Sequence, residues 1–69
     1  MEPGVLAPHQ QRVIDEHAQL SEKITKLSQF FNLETYATLP GVETSRLRRQ
    51  YRIMLLYQEV LQERIAAFN

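Results

Sequence analysis

No cysteine occurs anywhere in this sequence, which removes disulfides and thiolate metal sites together and fits a reducing compartment. Tryptophan is absent too, and three Phe and three Tyr are the only aromatic residues among 69. A chain this short buries a small share of its surface when it folds alone. Without disulfide or metal staples, self-association is the remaining source of buried area. Net charge is also lacking, since eight Lys and Arg balance eight Asp and Glu. That balance argues against holding nucleic acid by overall charge, so any anion site has to be local. With only two glycines, no Gly-rich phosphate loop can be drawn. His9 and His17 stand too far apart along a helix to share a metal. Long apolar runs are missing, so nothing approaches a membrane span. The segment Met1 to Ala7 has neither the basic nor the apolar part of a signal peptide. A soluble intracellular protein with no cofactor and no membrane partner is expected, with a flexible tail over 1–7 and one helical domain over 8–69.

What is present is helical periodicity. Val13, His17, Leu20, Ile24, Leu27 and Phe31 recur at alternating spacings of four and three, and Ile14 and Phe30 widen the stripe. They predict a first helix from Pro8 to Phe31, opened by a proline whose missing N–H has no intrahelical partner in a first turn. Its opening residues, Pro8-His9-Gln10-Gln11-Arg12, are polar and rich in amides, and the free N–H groups of such a turn favour anions. Asn32 reads as both a C-terminal stop and an N-cap for the next helical turn. Residues 33–37 suffice for a turn or so of helix. Thr38 then reads as the N-cap of a last helix running to Phe68, with Pro40 in its first turn. Leu47, Tyr51, Met54, Leu61, Ile65 and Phe68 form its main stripe, and Ile53, Leu56, Tyr57 and Val60 form a second. One stripe suffices for a hairpin partner, and the second implies another subunit. The expected fold is all-α, an antiparallel hairpin of two long helices with a short helical elbow, assembling into a helical homo-oligomer.

Catalytic constellations are missing from this pattern. Asp15, Glu16, Glu22, Glu59 and Glu63 sit where solvated helix faces carry carboxylates, and no serine has a histidine at a useful spacing. No catalytic residue is assigned, and the chain is not expected to be an enzyme. Lys23 and Lys26 project from neighbouring positions with Thr25 between them, which is the material of a phosphate clamp. Their ordinary reading is a surface ion pair of Lys26 with Glu22, four residues before it. Arg46, Arg48, Arg49 and Arg52, with Tyr51 among them, have the composition of a nucleic-acid site. Neutral total charge, and a Glu43 placed to pair with Arg46, favour a solvated face with intersubunit salt bridges. Arg64 differs, because Val60, Leu61, Ile65 and Phe68 surround it with apolar surface, where an arginine often serves a specific partner.

The residues His-Gln-Gln-Arg-Val-Ile-Asp-Glu at 9–16, followed by Leu20, Glu22-Lys23-Ile24, Lys26-Leu27, Phe30, Leu39-Pro40, Glu43, Arg46-Leu47, Gln50, Met54, Tyr57, Val60-Leu61 and Arg64-Ile65, form a dispersed pattern. In this the chain resembles, from Pro8 to Phe68, the small helical phage proteins first labelled crAss-phage-related, which include the anti-CBASS cyclic-oligonucleotide sponges. The resemblance implies a homohexamer that binds cyclic dinucleotides between protomers, and in some members cyclic trinucleotides near a three-fold axis. Such a protein withholds these messengers from CBASS effectors in the cytoplasm of the infected host. It further implies that Lys23 and Thr25, with Lys26 beside them, meet the phosphates of a cyclic dinucleotide. His9 falls where the family places a tyrosine that stacks on a base, and Arg64 matches an arginine of the trinucleotide pocket. No DNA or RNA partner is implied. A coiled-coil-like protein interaction module and a small nucleic-acid binder are the competing classes.

Overall fold

A computed structural model describes residues 6–68. Most of the expected tail over 1–7 therefore lies outside the described residues. Three helices come in order: α1 (Pro8–Phe30), α2 (Glu34–Ala37) and α3 (Gly41–Ala66), with no strand among the described residues. None of these helices is long and apolar enough to cross a membrane.

α1 begins where Pro8 makes it begin. Ala7 is extended (φ −65°, ψ 152°), and its carbonyl accepts the N–H groups of Gln10 and Gln11 at 2.9 and 3.0 Å. Gln10 reaches back in turn, its Oε1 accepting the Ala7 N–H at 2.9 Å. α1 stops at Phe30, one residue short of expectation, and Phe31 still donates its N–H to Leu27 at 3.2 Å.

Both proposed N-caps in the elbow need correction. Asn32 does not cap α2: Leu33 holds that position, and the Asn32 amide turns back toward the Ser28 carbonyl at 3.5 Å, toward an acceptor in the last turns of α1. Thr38 does not cap α3 either. It closes α2, its hydroxyl donating to the Thr35 carbonyl at 2.7 Å. The reason lies in Pro40, whose ring pushes the preceding Leu39 out of helical conformation, so no helix can run through that residue pair. Pro40 itself becomes the N-cap (φ −58°, ψ 147°), and its carbonyl accepts from Glu43 and Thr44. α3 ends at Ala66 instead of Phe68, with Ala67 as its C-cap.

α1 and α3 lie antiparallel and close on a narrow seam. Val13, Leu20 and Ile24 of α1 meet Leu61 of α3, and Tyr51, Met54, Ile65 and Phe68 pack around them. All belong to the two stripes that the periodicity marks. His17, also on the α1 stripe, is half-buried, and its Nε2 has no hydrogen-bond partner. The Gln58 amide donates to the Ser21 hydroxyl at 2.8 Å, which ties the helices together by a part-buried polar contact and fixes their register.

This seam is all the core there is among the described residues. The chain extends 55 × 16 × 14 Å with a radius of gyration of 16.1 Å. A compact domain of this length has a radius of gyration of about 11 Å. Meanwhile Ile53, Leu56, Tyr57 and Val60 stay between 42% and 58% exposed, so the second stripe on α3 has no partner within the chain.

Candidate ligand-binding site

The side chains singled out for phosphate contact lie on α1 around Lys23. Helical geometry turns about 100° per residue, so Lys23 and Thr25 leave α1 on opposite sides of buried Ile24. One chain therefore does not bring them together. Lys23 is exposed and makes no ion pair among the described residues. Thr25 donates its hydroxyl proton to the Ser21 carbonyl at 3.1 Å, so donating to a ligand would mean breaking that bond. Lys26 forms the expected pair with Glu22 at 3.1 Å. Both partners are mostly solvated, and such a pair is worth at most about 1 kcal/mol, so a phosphate could displace the carboxylate cheaply.

His9 is exposed in the first turn of α1, where no acidic side chain offsets the positive end of the helix. It points to the same side as Lys23 but stands about 21 Å from it along the axis, given a rise of about 1.5 Å per residue. Within one chain the two cannot meet one small ligand.

The register set by Ser21 and Gln58 decides what else shares that side. In an antiparallel pair the flank of α1 carrying His9 and Lys23 lies beside the flank of α3 carrying Ile53, Tyr57 and Val60. Lys23 comes out level with Leu56 and Tyr57. Arg64 continues the same α3 row, since positions 53, 57, 60 and 64 repeat at helical spacing. Its guanidinium is exposed in the last turn of α3, where a cation suits the helix dipole. Two of the expected ligand contacts, Lys23 and Arg64, thus edge one unpartnered apolar strip, and His9 lies on the same side beyond the end of α3. Thr25 stands on the other flank.

An arrangement that the sequence did not reveal occupies that other flank. Arg48 is exposed, as expected of a solvated face, but its Nε donates to the Tyr36 hydroxyl at 2.8 Å and its Cζ lies 5.8 Å from the Tyr36 ring centroid. Tyr36 meets Phe30 and Phe31 edge-on at 6.0 and 5.1 Å, and Phe31 meets Tyr51 at 5.3 Å. The elbow is held against α3 by this chain of rings. No period connects Tyr36 to Arg48 across a turn, and the one clue was an aromatic residue in a helix too short to need it. Arg46 does make its expected pair with Glu43, at a loose 3.9 Å. No group of three or more His, Asp or Glu side chains is placed to hold a metal among the described residues.

Comparison with known proteins adds a lineage to this geometry. Residues 7–67 match the family model described as Sequestin. An uncharacterized 7.5 kDa protein from the denB-rIIB intergenic region of Enterobacteria phage T4 is 40% identical over 61 residues, covering 88% of this chain and 95% of that protein. No solved structure matches.

Proposed function

The chain belongs to the Sequestin family, and on that premise we propose that it sequesters cyclic di- and trinucleotide second messengers and so keeps them from CBASS effectors in the cytoplasm of a phage-infected host. The observation that carries this reading is Lys23, a cation with no partner among the described residues, beside an apolar strip that nothing in the chain covers. A cyclic dinucleotide offers two phosphates and two base faces related by two-fold symmetry. Two copies of α1 crossing antiparallel about Glu16 place His9 of one protomer level with Lys23 of its partner, twice over. Each of the two corners then joins an imidazole that can stack on a base to an ammonium for a phosphate, and since the corners stand about 21 Å apart each holds its own ligand. Lys26 adds charge once released from Glu22, and Thr25 serves only if it comes from a further copy.

Holding a ligand needs no bond to be made or broken, so the function requires no catalytic group and the protein is not an enzyme in this reading. α3 offers a second two-fold contact through Leu56, at a different level of the hairpin. Two distinct two-fold contacts on one chain close into a ring of dimers where their axes intersect, and a hexamer is the three-dimer member of that series. Arg64 then gathers near the axis, where several guanidinium groups await an anion with one phosphate per chain.

Calorimetric titration with a panel of cyclic di- and trinucleotides tests the proposal, and heat with none of them would sink it. Lys23→Ala is expected to weaken cyclic dinucleotide binding by about tenfold or more, the size of one charge-assisted contact. For Arg64→Ala, a cyclic trinucleotide should no longer raise the melting temperature as it does for wild type, while cyclic dinucleotide binding persists. If Arg64→Ala abolishes both, the two ligands share a site. The uncovered α3 strip also favours a second reading, a helical module that binds another protein. Nucleotide retained by the native protein and released intact on heating would decide against it.

A further inference from the structure

On the flank opposite Lys23, Arg48, Tyr51, Arg52 and Leu55 of α3 and Phe31 after α1 line an open groove of about 420 Å³. Its floor is aromatic and aliphatic, its rim carries two guanidinium groups, and no carboxylate lines it. Volumes of this order, about 300–1,000 Å³, suit small ligands.

Arg48 and Arg52 stand four residues apart on one helix, an arrangement of like charges that disfavours the helix unless something negative lies between them. Two other cations of this chain are matched along a helix, Lys26 by Glu22 and Arg46 by Glu43. Arg48 and Arg52 are not. The positions three or four residues from Arg48 and Arg52 are Thr44, Ser45, Arg49, Tyr51, Leu55 and Leu56, with no acid among them.

Arg48 is also held in place beforehand. Its Nε is fixed by the Tyr36 hydroxyl, and Tyr36 is braced by Phe30 and Phe31, so the guanidinium is oriented with its two Nη nitrogens left over for another acceptor. Ordering an arginine in advance lowers the entropy lost on binding. A forked donor suits phosphate oxygens, and the Tyr51 and Leu55 side chains beside it suit a flat ring.

The geometry points to a second binding site here, for a small planar aromatic ligand that carries a phosphate, of the nucleoside monophosphate class. The phosphate lies between Arg48 and Arg52, and the base lies against Tyr51 and Leu55. The site needs neither the α1 flank nor a second copy, so it stands independently of cyclic nucleotide capture.

Adenosine monophosphate, adenosine and inorganic phosphate titrated into the labelled protein test it, read by the arginine Nε–H and tyrosine ring signals in NMR. The monophosphate should shift the Arg48 Nε–H and the Tyr51 ring together and saturably, with adenosine and phosphate each about tenfold weaker or more. Arg52 has no hydrogen-bond or ion-pair partner among the described residues, so Arg52→Ala should keep the fold and lose about tenfold in affinity. Tyr36→Phe keeps the ring packing and releases Arg48, and should weaken binding several-fold. Lys23→Ala should leave this titration unchanged, which separates the groove from the α1 flank. Phosphate binding as well as the monophosphate, shifts that bypass Tyr51, or no saturation at millimolar ligand would each overturn the site. A short single-stranded oligonucleotide binding far more tightly than the monophosphate would overturn it too, in favour of nucleic-acid binding.

Discussion

Replacing Leu61 by alanine is expected to lower the melting temperature by roughly 10 °C or more, the largest loss of stability from any single truncation in this chain. Leu61 is 0% exposed and faces Val13, Leu20 and Ile24 at the middle of the seam. Truncating a buried leucine costs about 2–5 kcal/mol, partly for the lost transfer energy and partly for the cavity left behind. At roughly 0.05–0.15 kcal/mol of stability per residue, a chain of this size has little more than that to lose. Thermal melting followed by far-UV circular dichroism reads the effect. Leu33→Ala, at an elbow position 55% exposed, is the control and should shift the midpoint by little. A shift for Leu61→Ala no greater than the control's would show that the seam is not what holds the helices together.

How much of this fold was written in the sequence depends on the kind of signal. Val13, Leu20, Ile24 and Leu61 repeat at helical spacing, and burial of one face is the strongest constraint on a helix, so the seam could be read from the period alone. The expected ion pairs of Glu22 with Lys26 and Glu43 with Arg46 are equally local and equally legible. The elbow was not. Thr38 and Asn32 both have the side chains of N-caps, yet the restriction that Pro40 places on Leu39 overrode one preference, and the Ser28 carbonyl drew the other's amide backward. Cap residues signal that a helix end is near, and backbone sterics then choose which end they serve.

The candidate site divides along the same line. Arg64 stands out in the sequence by the apolar residues around it, and Lys23 by Lys26 and Thr25 beside it. That Lys23 and Arg64 edge one strip while Thr25 stands behind it requires the register of the two helices, and the Ser21–Gln58 contact that fixes it joins residues 37 apart. Arg48 shows the limit most clearly, because its partner Tyr36 lies across a turn whose path no local propensity determines.

Leu56→Asp is expected to split the hexamer into dimers that keep the α1 contact about Glu16, while leaving the chain helical. Leu56 is 58% exposed at the centre of the strip formed with Ile53, Tyr57 and Val60, so a carboxylate there costs the single chain little. In a two-fold contact about Leu56 the same substitution enters twice. Burying a leucine is worth about 1.5–3 kcal/mol, and losing that twice raises the dissociation constant by about a hundredfold at the least. Charge supports an antiparallel contact at this position. Four of the five arginines of α3 lie in its first half, and Glu59 and Glu63 lie in its second, so a dyad at Leu56 sets Arg49 of one copy level with Glu63 of the other. Sedimentation velocity should find wild type as a hexamer and Leu56→Asp as a dimer at micromolar concentration. Lys23→Ala provides the reciprocal case, an intact oligomer that holds cyclic dinucleotide about tenfold more weakly or worse. A wild type that sediments as a stable monomer would remove the basis for a shared pocket. A Leu56→Asp chain that instead sediments as a monomer and still binds cyclic dinucleotide at full strength would place the whole site within one hairpin, against the separation of His9 from Lys23 along α1.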